Sequence, residues 1–375
     1  MSFNEPTLTT IAYICYILAF IFYGTYLLTR AGRAVAVGRG EMAMAGAGAG
    51  AGGAGTVEMT VSGTGGSGSS FSVAAGRIAT GLVVAAWISL TSALVLRTIA
   101  SGHAPYVTLY EITTMLVWGM TTIYLLLFEL ALKTRAVGAF ALLIIASVET
   151  YAVLWIPDGL KTPIQLVPAL RSYWLMVHVS NAIISYSAFG MAAGAGLTLM
   201  ARHYLKGRVG SALPSEAAIE EFMFRAIAVG FPFQTLLLIT GAIWAQEAWT
   251  KAWSWDPKEV WALVTWLVYA AYLHVRVQRG VRGITMAWLS LIGFAVVLIT
   301  FAGVNYMVEW FGLTSMHTYS TENGNPDIGW AGFAIVILLV GVLGLALFSW
   351  LRVYFPMRRE RRISEKTGKS PEKVS

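Results

Sequence analysis

The chain has 375 residues, 57% of them hydrophobic and only 12% charged, with a formal net charge of +7. That composition excludes an ordinary soluble domain and requires an integral membrane protein. The basic residues gather at alternate ends of apolar runs and in the C-terminal tail. That pattern is a topology signal, not a nucleic-acid footprint, and no nucleic-acid partner is expected. The single cysteine, Cys15, lies inside the first apolar run, so the chain has no disulfide framework, thiol relay or C-x-x-C-H attachment site of its own.

Apolar runs of roughly twenty residues, enough to cross about 30 Å of hydrocarbon, recur nine times, near 9–29, 77–97, 112–132, 137–156, 173–200, 224–244, 260–279, 284–304 and 330–352. The expected fold is an all-α polytopic membrane helix bundle of about nine transmembrane helices. The first run lacks a basic leader and a small-residue cleavage site, so it reads as a retained helix. One set of connections carries Arg30, Arg33, Arg39 and Arg77, then Lys133 and Arg135, then Arg202, Lys206 and Arg208, then Arg276, Arg279 and Arg282. The tail adds Arg358, Arg359, Arg361 and Arg362, whereas the opposite set is poor in Lys and Arg. The positive-inside rule then puts the N-terminus outside and the C-terminus in the cytoplasm of a multi-pass cell-membrane protein.

Four sections follow from this: residues 1–39 as the first helix and its basic flank, 40–73 as a flexible Gly/Ala/Ser-rich cytoplasmic linker, 74–355 as the main membrane domain, and 356–375 as a charged cytoplasmic tail. Ser215 with acids after it reads as a capped cytoplasmic helix running into the sixth span, bent at Pro232. The stretch 244–261, WAQEAWTKAWSWDPKEVW, holds Trp244, Trp249, Trp253, Trp255 and Trp261 with Asp256, Pro257 and Glu259 among them. It joins two apolar runs on the extracytoplasmic side. Two readings stand for it: an interfacial aromatic belt, or a flat shelf for a large planar ligand, apolar in the middle and charged at one edge.

The histidines separate by depth. His178 lies about five residues into the fifth span, near 8 Å below the outer surface, with Asn181 and Ser185 continuing one polar stripe. It is either a ligand or a packing hydrogen bond. His317 sits in the external loop before the last span, on the same face as the Trp-rich stretch. His274 lies roughly 20 Å deep on the seventh span, past the midplane, as an inner ligand or as a histidine reaching the cytoplasmic interface. His103 reads as a loop residue and His203 as part of a basic face. Glu149, inside the fourth span, and Glu111, opening the third, are acids at depths where acids are rarely idle.

WSWDPKEVWAL resembles the tryptophan-rich signature of the haem-handling proteins of cytochrome c biogenesis. The flanking GFPFQTLLLITGAIWAQEAW and TWLVYAAYLHVR are similar to the system II component of the CcsA/ResC type, with the likeness running over about residues 100–320. It departs from the family at Trp249-Thr250-Lys251-Ala252-Trp253 and at Ser315-Met316-His317-Thr318-Tyr319, where other residues are usual. The resemblance implies haem b, ferrous, as substrate, with Trp244, Trp249, Trp253, Trp255, Asp256 and Trp261 forming its shelf. It also implies His178 and His317 as outer axial ligands and His274 as an inner ligand completed by a partner membrane subunit of the CcsB/ResB type. Apocytochrome c would be the acceptor, with thiol-reducing proteins acting indirectly, so that the chain is part of a holocytochrome c synthase. A system I-type haem-delivery protein, a b-type redox subunit of a quinone-linked complex and a transporter of another amphipathic solute are the alternatives.

Overall fold

The computed structural model describes residues 4–48, 66–126, 135–164, 166, 170–205, 210, 212–312 and 315. Among them the chain is helical, without strands, and forms a polytopic membrane bundle. Seven helical segments are long and apolar enough to cross a membrane: Glu5–Arg30, Ser70–Ser101, Gly138–Trp155, Tyr173–Tyr204, Glu216–Trp249, Pro257–Gln278 and Ile284–Gly303. The third expected span is α3, Leu109–Tyr124, whose continuation enters residues outside the described set. The ninth, 330–352, lies wholly outside the described residues.

The longer helices are α1 (Glu5–Gly48), α2 (Gly66–Ser101), α4 (Gly138–Thr150), α5 (Tyr173–Tyr204), α6 (Glu216–Trp249), α7 (Pro257–Gln278) and α8 (Ile284–Leu298). A short α9, Val304–Trp310, follows. Helix reaches into both ends of the stretch read as a linker, since α1 runs to Gly48 and α2 starts at Gly66. Both α4 and α8 end in a π-helical turn, Tyr151–Trp155 and Ile299–Gly303. Ser215 caps α6 by accepting from the Ala218 amide, and the helix continues unbroken through Pro232 to Trp249.

Two contacts show how α5 and α6 run antiparallel. A Cβ on Gly230 would lie 2.8 Å from Phe189, and one on Gly241 would lie 2.8 Å from the His178 ring. Small residues let helix backbones approach where lipid supplies no hydrophobic drive. Between these points the fully buried Gln234 accepts from Ser185 Oγ at 3.1 Å and donates to the Ala262 carbonyl at 3.1 Å. One amide thus joins α5, α6 and α7, and the stripe expected from Ser185 faces its partner inside the bundle.

Polar clusters close both ends. At one end Arg97, 3% exposed, donates to Glu111 at 2.8 Å and lies 3.4 Å from Glu5, tying α2 to α3 and α1. Glu111 also accepts from the Val107 and Thr108 amides and so completes the cap of α3. At the other end Glu220 pairs with Arg276 at 3.1 Å and accepts from the Gly283 amide, joining α6 to α7 and the start of α8. Replacing Gln234 by Leu should lower stability by about 1–3 kcal/mol, because Ser185 and the Ala262 carbonyl lose a buried partner. The check is a lower unfolding temperature of the purified protein in detergent.

Candidate functional site

The helix ends that carry the Trp-rich segment surround a cleft of about 120 Å³, smaller than the range of about 300–1,000 Å³ usual for small-molecule sites. Its walls are apolar residues such as Leu116, Val179, Leu237 and Phe301, and its polar groups are His178, Lys258, Glu259 and Thr300. Residues from α3, α5, α6, α7 and the π turn after α8 meet there, together with Ala252 and Trp253 of the connecting loop. A predominantly apolar enclosure with a few convergent polar groups suits a planar, amphipathic ligand.

His178 is the site's metal-ligand candidate, and its orientation is set by the backbone of α6. Its Nδ1 lies 2.9 Å from the Leu237 carbonyl, so Nδ1 carries the proton of that bond, and in the neutral ring the lone pair would then sit on Nε2. Histidines that bind metals are held in this way by a second-shell acceptor. Gly241, one turn beyond Leu237, has no Cβ to push the ring away. The Trp244 ring, 5% exposed, lies 5.8 Å from His178 and 5.0 Å from Trp249. Those two tryptophans therefore back the histidine from inside the bundle.

The loop is shaped by its own acids. Thr250, which caps α6, and Trp255 both have left-handed backbones, with φ of 60° and 61°. A residue with a side chain rarely adopts that conformation without an external tie. Here the tie is Glu259, which accepts from the Ser254 amide at 2.8 Å and the Asp256 amide at 3.1 Å, on either side of Trp255. Asp256, buried, caps α7 by accepting from the Lys258 amide at 2.8 Å, with Pro257 as the first helical residue. The reciprocal use of Asp256 and Glu259 is a capping box, readable in D-P-K-E but not drawn out above. Trp255 is left 72% exposed, with Trp253 edge-on to it at 5.8 Å.

The shelf residues therefore do not share one surface. Trp253 lines the cleft, Trp244 and Trp249 stand behind His178, Trp255 points outward, and Asp256 is a helix cap. Trp261, half-buried on the first turns of α7, offers its carbonyl to Thr265 and Thr300. His317 lies outside the described residues. Ser315, two residues before it in sequence, donates to Asp256 at 3.0 Å and so anchors that loop to the Trp-rich segment. His274 is exposed on α7, eighteen residues beyond Asp256 and about 27 Å along the helix. It is remote from the cleft and two residues before Arg276, whose buried side chain pairs with Glu220. His103 lies between the carbonyls of Ala104 and Ile164, at 2.9 and 3.1 Å, as a loop staple. Lys258, Gly241 and Thr300 are among the cleft residues to which the sequence assigned no site role, and Glu259 was named there only as part of the Trp-rich segment.

The family model for the Cytochrome C assembly protein matches residues 106–311, a range that includes every residue lining the cleft. The chain belongs to this family. It is 40% identical over 238 residues to the cytochrome c biogenesis protein CcsA of Prochlorococcus marinus subsp. pastoris, a match covering 57% of this chain and 76% of that protein. The CcsA proteins of Pyropia yezoensis, 34% identical over 65% of this chain and 87% of theirs, and of Guillardia theta, 35% identical over 66% and 86%, are also similar. Among solved structures the cytochrome c haem lyase CcmF shares the fold, with a TM-score of 0.52 over 98% of this chain and 60% of that chain, at 15% identity.

Gly241→Ala should displace the His178 ring, since the added methyl would fall within van der Waals contact of it. Haem retained on purification should drop several-fold while membrane insertion stays normal. The comparison is the absorption spectrum per unit protein, with the exposed Trp255→Ala variant as a folding control.

Proposed function

We propose that this chain is the haem-presenting subunit of system II cytochrome c biogenesis. Membership of the cytochrome c assembly family and identity to CcsA proteins support that setting. The single observation that carries the site assignment is the His178 hydrogen bond to Leu237, which presents the ring in the form that ligates iron at Nε2. In this reading haem b, in the ferrous state, is the substrate and not a resident cofactor.

The chain lies in the cell membrane with the Trp-rich face outside. Haem rests beside Trp253 with its iron between His178 and His317, and the Ser315–Asp256 bond keeps the loop preceding His317 at the same face. The C-x-x-C-H segment of apocytochrome c docks there and its histidine displaces one of the two ligands. Each thiol then adds across a vinyl group: sulfur bonds to one carbon, the proton goes to the other, and no electrons are exchanged. The protein contributes proximity and orientation. Thiols must arrive reduced, which is where thiol-reducing proteins enter, and ferrous iron avoids oxidising them. His274, at the opposite end of α7 and exposed to a neighbour, is the inner ligand that a CcsB/ResB-type partner completes.

Replacing His178 or His317 by Gly should leave a gap the size of imidazole at a water-accessible site. Added imidazole should restore part of the cytochrome c yield, and the haem that is retained should show an altered spectrum. His274→Gly should instead load little haem. A wild-type spectrum and full cytochrome c assembly in His317→Gly would remove that residue from the site. A spectrum unchanged in His178→Gly would favour a permanently held b-type haem elsewhere in the chain.

A further inference from the structure

Outside the residues that line the His178 cleft, α1, α3 and α4 surround an acid that the haem reading does not use. Glu149 is 0% exposed, and neither of its carboxyl oxygens has a hydrogen-bond partner among the described residues. It lies in the last turn of α4, immediately before the π turn Tyr151–Trp155. Interruptions of this kind inside helices collect at functional positions. An ionised carboxylate with no donor, deep in a membrane bundle, costs several kcal/mol, about as much as any single group can impose. The acid stands there only with a proton on it or with water reaching it.

The neighbours point to the proton. From α1, Tyr16 faces Glu149 closely enough for electrostatic coupling, and its hydroxyl shares a 2.9 Å hydrogen bond with Thr121. From α3, Tyr110 is coupled to it in the same way and donates to Glu5 at 2.9 Å and Thr9 at 3.1 Å. Helix α5 packs against α4 at Gly194 and Ala141, about two turns before Glu149. The nearby cations are engaged elsewhere: Arg97 with Glu111 and Glu5, and Lys161 with Asp158 and the Val153 carbonyl. No cation is thus placed to compensate an ionised Glu149 among the described residues.

A route to water is also present. Glu5, Thr9, Tyr110 and Val153 line an open cleft of about 450 Å³ at the helix ends that share the Trp-rich face. Val153 is one turn past Glu149, so the acid lies about 6 Å below the cleft along the helix. Tyr110 donates to Glu5 at the cleft and is near enough to Glu149 for a weak electrostatic interaction.

We propose that Glu149 is a proton-binding site that exchanges with water on the Trp-rich face through the cleft at Glu5 and Tyr110. The ligand is a proton and nothing else changes bonds. The site is separate from the haem cleft, so its test needs no haem and fails or succeeds independently of the function proposed above.

The test is infrared spectroscopy of the intact, haem-free protein in reconstituted membranes. Among the described residues the other buried acids are engaged, Glu111 and Glu220 in ion pairs and Asp256 with the Lys258 amide and Ser315, so a protonated-carboxyl band lost in Glu149→Gln belongs to Glu149. It should vanish in Glu149→Gln, an isostere of the neutral acid, and move but persist in Glu149→Asp. On transfer to heavy water the band should shift, and Tyr110→Phe should slow that shift about tenfold, the rate equivalent of one lost hydrogen bond. A band that persists unchanged in Glu149→Gln overturns the proton site. An exchange rate unaltered by Tyr110→Phe overturns the route.

Discussion

The close approach of α5 and α6 is the constraint on which the site depends. Inside a bilayer every polar group needs a partner within the protein, because lipid offers none. His178 meets that need with the Leu237 carbonyl, and it reaches that carbonyl only because Gly241 is bare. The same contact therefore satisfies a donor, selects a tautomer and aims a lone pair. Gly230 and Gln234 repeat the arrangement deeper in the bundle, one by removing bulk and the other by bridging three helices.

Charge appears in the structure as paired clusters at the ends of the bundle. Arg97 with Glu111 and Glu5, and Glu220 with Arg276 and the Gly283 amide, each join elements far apart in sequence. Buried pairs of this kind contribute little net stability, since desolvation offsets attraction. They specify which helix ends meet, because any other pairing would leave an unmatched charge. Register fixed at the ends then determines which residues face the cleft between them.

The Trp-rich loop follows a similar logic at smaller scale. Glu259 holds the amides on both sides of Trp255, and Asp256 starts α7. These acids fix the loop so that one indole faces the cleft and another faces outward. The tryptophans differ in place: Trp244 packs near His178, Trp253 lines the cleft, and Trp255 is exposed.

The sequence by itself determined that the chain is a helical membrane bundle, since long apolar runs admit few other structures. It also determined the start of α6, because the Ser215 cap is local chemistry. Family membership was legible in contiguous motifs around Trp253 and His274. Only the tertiary structure decided which tryptophans share a surface, because five indoles in one segment look alike until backbone angles such as that of Trp255 separate them. It alone showed that Glu111 pairs with Arg97 while Glu149, an acid at comparable depth, has no such partner among the described residues. It alone made Gly241 part of the site. Those assignments depend on contacts between residues distant in the chain, and a linear pattern holds no distance between helices.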